Sequence, residues 1–222
     1  MTAITWSTDD ELFPLVRDRL FSAVLGDVLD RLGYRHQFLP PDVRPLMSYG
    51  TVVGRAMPVL EADVFDDHQA FGKMFEALDD LREGDIYLAS GGSRSYAFFG
   101  ELMAVAASAR GAHGAVLYGF HRDSDALRSG GFPVYSVGAY AQDQAVRGRV
   151  IEYRTTIEIG RATVEPGDLV VADSDGVLIV PQRIEAEVVR EALAKVTIET
   201  DVRQALRSGM SISEAFVKFG VM

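Results

Sequence analysis

Between Phe99 and Val137 the chain reads Phe99-Gly100-Glu101-Leu102-Met103, then an alanine-rich run to Arg110-Gly111. Ala115-Val-Leu-Tyr-Gly119-Phe-His-Arg122-Asp123 follows, and then Phe132-Pro133-Val134. A glycine-led helix start attracts anions through its unpaired N–H groups. An arginine clamps carboxylates in a planar fork, and an aspartate holds a hard metal ion. Together these groups suit a small oxyacid bound with a divalent cation. On residues alone a plainer description stays open, in which Arg122 and Asp123 are a solvated surface pair and Gly100 an ordinary helix start. Charged pairs in loops generally favour that description.

Elements at both ends of this stretch must bring the groups together. Apolar spacing predicts a helix over residues 9–33, a proline-rich connector, a strand over 50–60 and a helix over 66–81. A strand over 86–90 and a glycine-containing loop lead to a helix over 100–109. A buried strand over 115–118 hands over to Gly119 and Arg122-Asp123, with a helical turn over 124–128 and a strand over 133–137. Strands then dominate at 150–159, 161–164, 169–172 and 177–180, before helices over 184–206 and 211–219. If the strands at 86–90 and 115–118 are parallel neighbours, their following loops share one edge, where ligands collect in α/β layers. The N–H groups of Glu101, Leu102 and Met103 then face Arg122 and Asp123. The order of elements predicts one mixed α/β layered domain over residues 1–222, with both parallel and antiparallel sheet.

Composition narrows the classes. The chain has 222 residues, 48% of them hydrophobic and 24% charged, which is ordinary for a folded domain. It has no cysteine, which excludes disulfides and thiolate chemistry. A net charge of −10 repels a nucleic-acid backbone, so no nucleic-acid partner is expected. No basic, apolar leader opens the sequence and no apolar run approaches the roughly 20 residues of a membrane span. A cytoplasmic protein with no membrane partner is the expectation.

The strings Gly-Glu-Leu-Met-Ala, Gly-x-x-Arg-Asp and Phe-Pro-Val resemble those of the class II 4-hydroxy-4-methyl-2-oxoglutarate/4-carboxy-4-hydroxy-2-oxoadipate aldolases. They also resemble those of the related regulators of ribonuclease activity A. The likeness extends to Ser22-Ala-Val-Leu-Gly-Asp27 through Gly33, to Val164-Glu-Pro-Gly-Asp168 through Pro181, and to Gly209-Met-Ser-Ile-Ser-Glu-Ala-Phe. It implies a layered β/β/α domain like the swivelling phosphohistidine domains, assembled as a homotrimer or homohexamer. It implies a small 2-oxo acid substrate lying on the backbone of Gly100, Glu101, Leu102 and Met103. By the same resemblance Arg122 contacts the substrate and Asp123 ligates Mg²⁺ or Mn²⁺ largely through waters. Glu101, and Glu199 from a neighbouring subunit, are the acidic residues that would hold those waters.

The reaction implied is C–C cleavage by a metal-dependent lyase through a pyruvate enolate, either a retro-aldol step or oxaloacetate decarboxylation. The lysines, Lys73, Lys195 and Lys218, lie outside the suspected site, which argues against a Schiff base. Two alternatives stay open: a non-catalytic regulator that binds a protein, and a lyase of the same fold on another oxyacid. His121, before Arg122, and the atypical segment 138–159 keep the last one alive. His121 itself is read either as a partly exposed loop residue or as a specificity or proton-transfer group. Other signals fall away. His121-Arg122-Asp123 imitates a kinase triplet without the accompanying motifs, and Gly91-Gly92 lacks the rest of a phosphate loop. The four histidines, His36, His68, His113 and His121, have no zinc spacing.

Overall fold

Strands that are apolar on both faces need cover on both faces. The computed structural model, which describes residues 5–65 and 70–220, supplies it. In chain order the elements are α1 (Asp9–Arg19), α2 (Ser22–Arg31), β1 (Arg44–Pro45), β2 (Val52–Asp63) and α3 (Met74–Asp79). There follow β3 (Asp85–Ser90), β4 (Ala97–Phe99), α4 (Glu101–Ala109), β5 (Gly114–Leu117), β6 (Phe120–His121) and α5 (Ser124–Gly130). Next come β7 (Val134–Ser136), β8 (Gly138–Ala139), β9 (Gly148–Tyr153), β10 (Ile157–Ile159) and β11 (Ala162–Val164). The chain closes with β12 (Leu169–Ala172), β13 (Val177–Val180), α6 (Glu185–Arg207) and α7 (Ile212–Phe219).

Among the described residues an eight-stranded sheet runs β1-β7-β5-β3-β2-β12-β13, with β9 also paired to β2. Strands β2, β3, β5 and β7 are mutually parallel, as the crossovers through α3, α4 and α5 require. The remaining partners run antiparallel. Period-two alternation divides the core. Met57, Val59, Tyr87 and Leu117 face α3 and α4, and Val53, Val171 and Leu178 face α1, α2 and α6. Their neighbours Ala56, Ile86, Leu88, Val116 and Val170 point the other way, against the β10–β11 hairpin. The result is the expected layered β/β/α arrangement. No helix among the described residues is long and apolar enough to cross a membrane.

Three expected elements differ, each for a reason that lies far away in sequence. The helix expected over 9–33 is two helices, because Leu20 is extended (φ −125°, ψ 165°). The N–H and Oγ of Ser22 both donate to the Asp173 carboxylate, at 2.7 and 2.9 Å, which starts a new helix there. The helix expected over 66–81 contracts to α3. Gly72 bridges to Val150 and the Lys73 N–H donates to the Val150 carbonyl at 2.9 Å, so β9 takes backbone groups a helix would need. Asp66, where that helix was expected to begin, and His68 lie outside the described residues. The strand expected over 150–159 breaks at Arg154, whose left-handed backbone (φ 48°) turns the chain. Its guanidinium is anchored on Asp80 and Asp85, at 2.5 and 2.7 Å.

Candidate active site

Strands β3 and β5 are parallel neighbours, and the loops beyond them meet as expected. A second, three-stranded parallel sheet of β4, β6 and β8 brings them closer than the main sheet alone would. Within it the Arg122 N–H donates to the Phe99 carbonyl at 2.9 Å, which sets Arg122 beside Gly100. The backbone of Gly100 is extended (φ −146°), so glycine is needed there for space and not for conformation. A Cβ at that position would lie 2.6 Å from Asp123 Oδ2 and 3.2 Å from Arg122 Cγ. The guanidinium and the carboxylate are seated directly on the bare α-carbon that opens α4.

The Glu101 N–H donates to Asp123 Oδ2 at 3.1 Å. Of the three helix-start N–H groups, this one is therefore spent on holding Asp123. Those of Leu102 and Met103, in the first turn of α4, have no intrahelical acceptor. Asp123 is left-handed (φ 59°, ψ 38°) and immediately precedes α5. Such a conformation costs an L-residue about 1–2 kcal/mol, less for aspartate and asparagine. Strain of this kind concentrates at functional sites. Asp123 Oδ1 has no hydrogen bond among the described residues and is the oxygen left for a ligand.

A cavity of about 400 Å³ opens at this point. Its polar end carries Gly100, Arg122, Asp123, Asp143 and Gln144, and Phe71, Phe75, Leu78, Leu102 and Met103 form an apolar wall. Arg122 Nη1 pairs with Asp143 Oδ1 at 2.9 Å, and its Nε stands 3.6 Å from Asp123 Oδ2. One cation thus lies between two carboxylates, leaving excess negative charge at the polar end of the cavity. A divalent cation would reverse that balance. Among the described residues no three acidic or histidine side chains gather as a metal cage. One available Asp123 oxygen in a negatively charged, open setting fits an ion whose remaining positions are water and substrate.

Leu102 is 79% exposed at the cavity mouth, and the Glu101 side chain is only partly buried at the helix start. Glu199 sits on α6, 3.7 Å from Lys195, and does not line this cavity. It could approach such a site only from another copy of the chain. His121 fits neither description given to it from sequence. It is 3% exposed, lies outside the cavity lining, and meets Ser136 Oγ at 2.7 Å and Ser124 Oγ at 2.9 Å through its two ring nitrogens. Burial holds its pKa below the ordinary 6.5, so the ring is a neutral strut under α5.

Asp143 and Gln144 were not anticipated, since the irregular segment between β8 and β9 has no periodicity to place them. Behind Gln144 lies Glu61, which shares its parity in β2 with buried Met57 and Val59, a signal present in the sequence but not used. A separate cavity of about 520 Å³ between α2 and α6 is lined by Asp27, Arg31, Glu191 and Lys195. Those charges pair with one another, Arg31 with Glu191 and Lys195 with Asp27.

Known proteins share this architecture, and about a quarter to a third of this sequence over the matched regions. DlpA of Legionella pneumophila is 26% identical over 87% of this chain, which spans only 31% of DlpA's length. A protein of Laribacter hongkongensis provisionally named 4-hydroxy-4-methyl-2-oxoglutarate aldolase is 32% identical over 70% of this chain and 94% of its own. The crystal structure of Streptomyces coelicolor RraAS2, described as an unusual member of the RNase ES inhibitor RraA family, superposes with a TM-score of 0.79. It is 26% identical and covers 90% of this chain and 99% of its own. The RraA-like family model (Aldolase/RraA) matches residues 22–179, a span that contains Gly100, Arg122 and Asp123, and the chain belongs to that family.

Proposed function

We propose that this protein is a divalent-metal-dependent lyase that cleaves a C–C bond of a small 2-oxo acid. The reaction is a retro-aldol cleavage of the 4-hydroxy-4-methyl-2-oxoglutarate type, or decarboxylation of oxaloacetate. The observation that carries this reading is the seat at Gly100, where a helix start, a guanidinium and a carboxylate with an available oxygen converge on one cavity. The N–H groups of Leu102 and Met103 and the Arg122 fork receive the substrate carboxylate. Asp123 would hold Mg²⁺ or Mn²⁺, with Glu101, and Glu199 of a neighbouring copy, as the further acidic groups around it. When bound, such an ion supplies Lewis-acid stabilisation of the charge that develops on the 2-oxo oxygen. The apolar wall packs against the carbon end of the substrate. No lysine lines the cavity among the described residues, which is consistent with a route that needs no Schiff base.

The exposed Leu102 and Phe75 form an apolar rim at the cavity mouth, and the exposed Val105 follows one turn after Leu102 on α4. A homotrimer or homohexamer would cover it and could deliver Glu199. The test is pyruvate release from both acids, read by a lactate dehydrogenase couple with Mg²⁺ or Mn²⁺ and with EDTA. Chelator-sensitive release that is lost in Asp123→Asn supports the lyase. Full metal-dependent turnover in that variant refutes the assignment. The likeness to RraAS2 favours a second reading, a non-catalytic protein-binding regulator. That reading predicts no turnover and no Mn²⁺-induced rise in Tm. A folded protein that binds Mn²⁺ but cleaves neither acid would point to a different oxyacid.

A further inference from the structure

Strand β2 carries a glutamate on a face where its neighbours are apolar. Glu61 is 1% exposed, and the pairing of β2 with β9 shifts register between Leu60 and Glu61, where β9 skips Ile151. Glu61 Oε2 accepts from Gln144 Nε2 at 2.5 Å. Among the described residues Oε1 has no hydrogen-bond partner, and neither has the fully buried hydroxyl of Tyr87. Burial pushes the Glu61 carboxyl up to about 8, so it is neutral at pH 7. Such an incompletely satisfied polar group costs stability. What it achieves is the alignment of one amide.

Gln144 is fixed at both ends. Its backbone carbonyl accepts from the N–H groups of Arg147 and Gly148, at 2.9 and 3.0 Å, and its side-chain Nε2 is spent on Glu61. Its Oε1 makes no hydrogen bond among the described residues. Gln144 lines the cavity one residue from Asp143, the partner of Arg122. A carbonyl oxygen only accepts, so the ligand group it recognises must be a donor. Of the two acids proposed as substrates, 4-hydroxy-4-methyl-2-oxoglutarate carries a hydroxyl donor, and the keto form of oxaloacetate, ionised at its carboxylates, carries none.

We propose that Gln144, aligned by the positioning residue Glu61, accepts a hydrogen bond from a substrate hydroxyl and so selects a hydroxylated 2-oxo acid over one that lacks it. This rests on the lyase reading and narrows its substrate class. The experiment compares kcat/KM for 4-hydroxy-4-methyl-2-oxoglutarate and for oxaloacetate. Gln144→Leu lowers the ratio of the first to the second about tenfold, the value of one well-placed hydrogen bond. Glu61→Met frees the amide and lowers the ratio of the two about threefold. Glu61→Gln keeps an acceptor for Gln144 Nε2 and restores the ratio.

A ratio unmoved by Gln144→Leu overturns the proposal while the lyase reading stands. So does an equal effect of Glu61→Met and Glu61→Gln. If the wild type cleaves neither acid, the same variants are read by the Tm shift with Mg²⁺ and 4-hydroxy-2-oxoglutarate against 2-oxoglutarate. A selective loss of the first shift in Gln144→Leu then supports hydroxyl recognition without catalysis. Equal shifts in every variant, or none in the wild type, overturn it.

Discussion

Replacing Glu61 with glutamine removes a titratable group that the fold holds neutral, and the effect on stability has a definite sign. In the unfolded chain the Glu61 carboxyl loses its proton near its ordinary value of 4.5, and in the folded protein it keeps that proton up to about 8. Between those values the unfolded chain binds fewer protons than the folded one, so stability falls as pH rises. The penalty is absent below 4.5, grows through the window, and is complete above 8. Each pH unit within it is worth about 1.4 kcal/mol. From pH 5 to pH 7 the wild type therefore loses about 3 kcal/mol that Glu61→Gln does not lose. Other titrating groups affect both proteins equally and cancel in the difference. Urea unfolding of both proteins at pH 5, 6 and 7 measures it, and in thermal scans the same difference is roughly 6–12 °C. Stability curves that stay parallel across this range would refute the reasoning, because Glu61 would then be ionised or solvated in the folded state.

Three further perturbations test the seat at Gly100 and its supports. Gly100→Ala puts a methyl group 2.6 Å from Asp123 Oδ2, and should cost about 1–3 kcal/mol by overpacking while lowering kcat/KM by about 100-fold or more. Urea denaturation and the pyruvate assay separate the two effects, and wild-type turnover would show that the seat is not the site. Asp143→Asn releases Arg122 from one of its two carboxylates. Both partners are well over a third exposed, so stability should change by less than about 1 kcal/mol, while KM for the oxyacid moves about 3–10-fold. His121→Phe leaves the Ser124 and Ser136 hydroxyls without their ring partners, and should cost about 2–3 kcal/mol without altering the Mn²⁺-induced Tm shift. Because the folded His121 pKa is depressed, its contribution is lost as pH falls below the ordinary 6.5, opposite in direction to Glu61, and the variant should lack that part of the acid sensitivity.

The sequence was legible where local chemistry decides structure. The helix starting after Gly100, the strands at β3, β5, β12 and β13, and the convergence of Arg122 and Asp123 on that helix all follow from glycine placement and short apolar runs. It was opaque where a distant residue decides. Nothing near Leu20 announces that Asp173 will capture Ser22, and nothing near Gly72 announces Val150. Strands β4, β6 and β8 span two or three residues, too short for any alternation to register, yet they draw Arg122 to Phe99. Asp143 and Gln144 escaped for the same reason, since an irregular segment carries no period. Glu61 was readable from its parity with Met57 and Val59, and His121 was misread because its two serine partners come from different elements.

The left-handed backbone at Asp123 separates two things that are usually lost together. Glycine and asparagine tolerate φ 59° at least as well as aspartate does, so either could replace it with little disturbance of the start of α5. Each would remove the charged oxygen available for a ligand. On the proposed lyase reading, a single base change in the codon therefore silences the chemistry while leaving the start of α5 in place. In a family that includes provisionally named aldolases and an unusual member of a ribonuclease-inhibitor family, such a position would, on that reading, be a short path from making a product to holding a partner. Asn or Gly at this position in a relative would mark a chain that has taken that path.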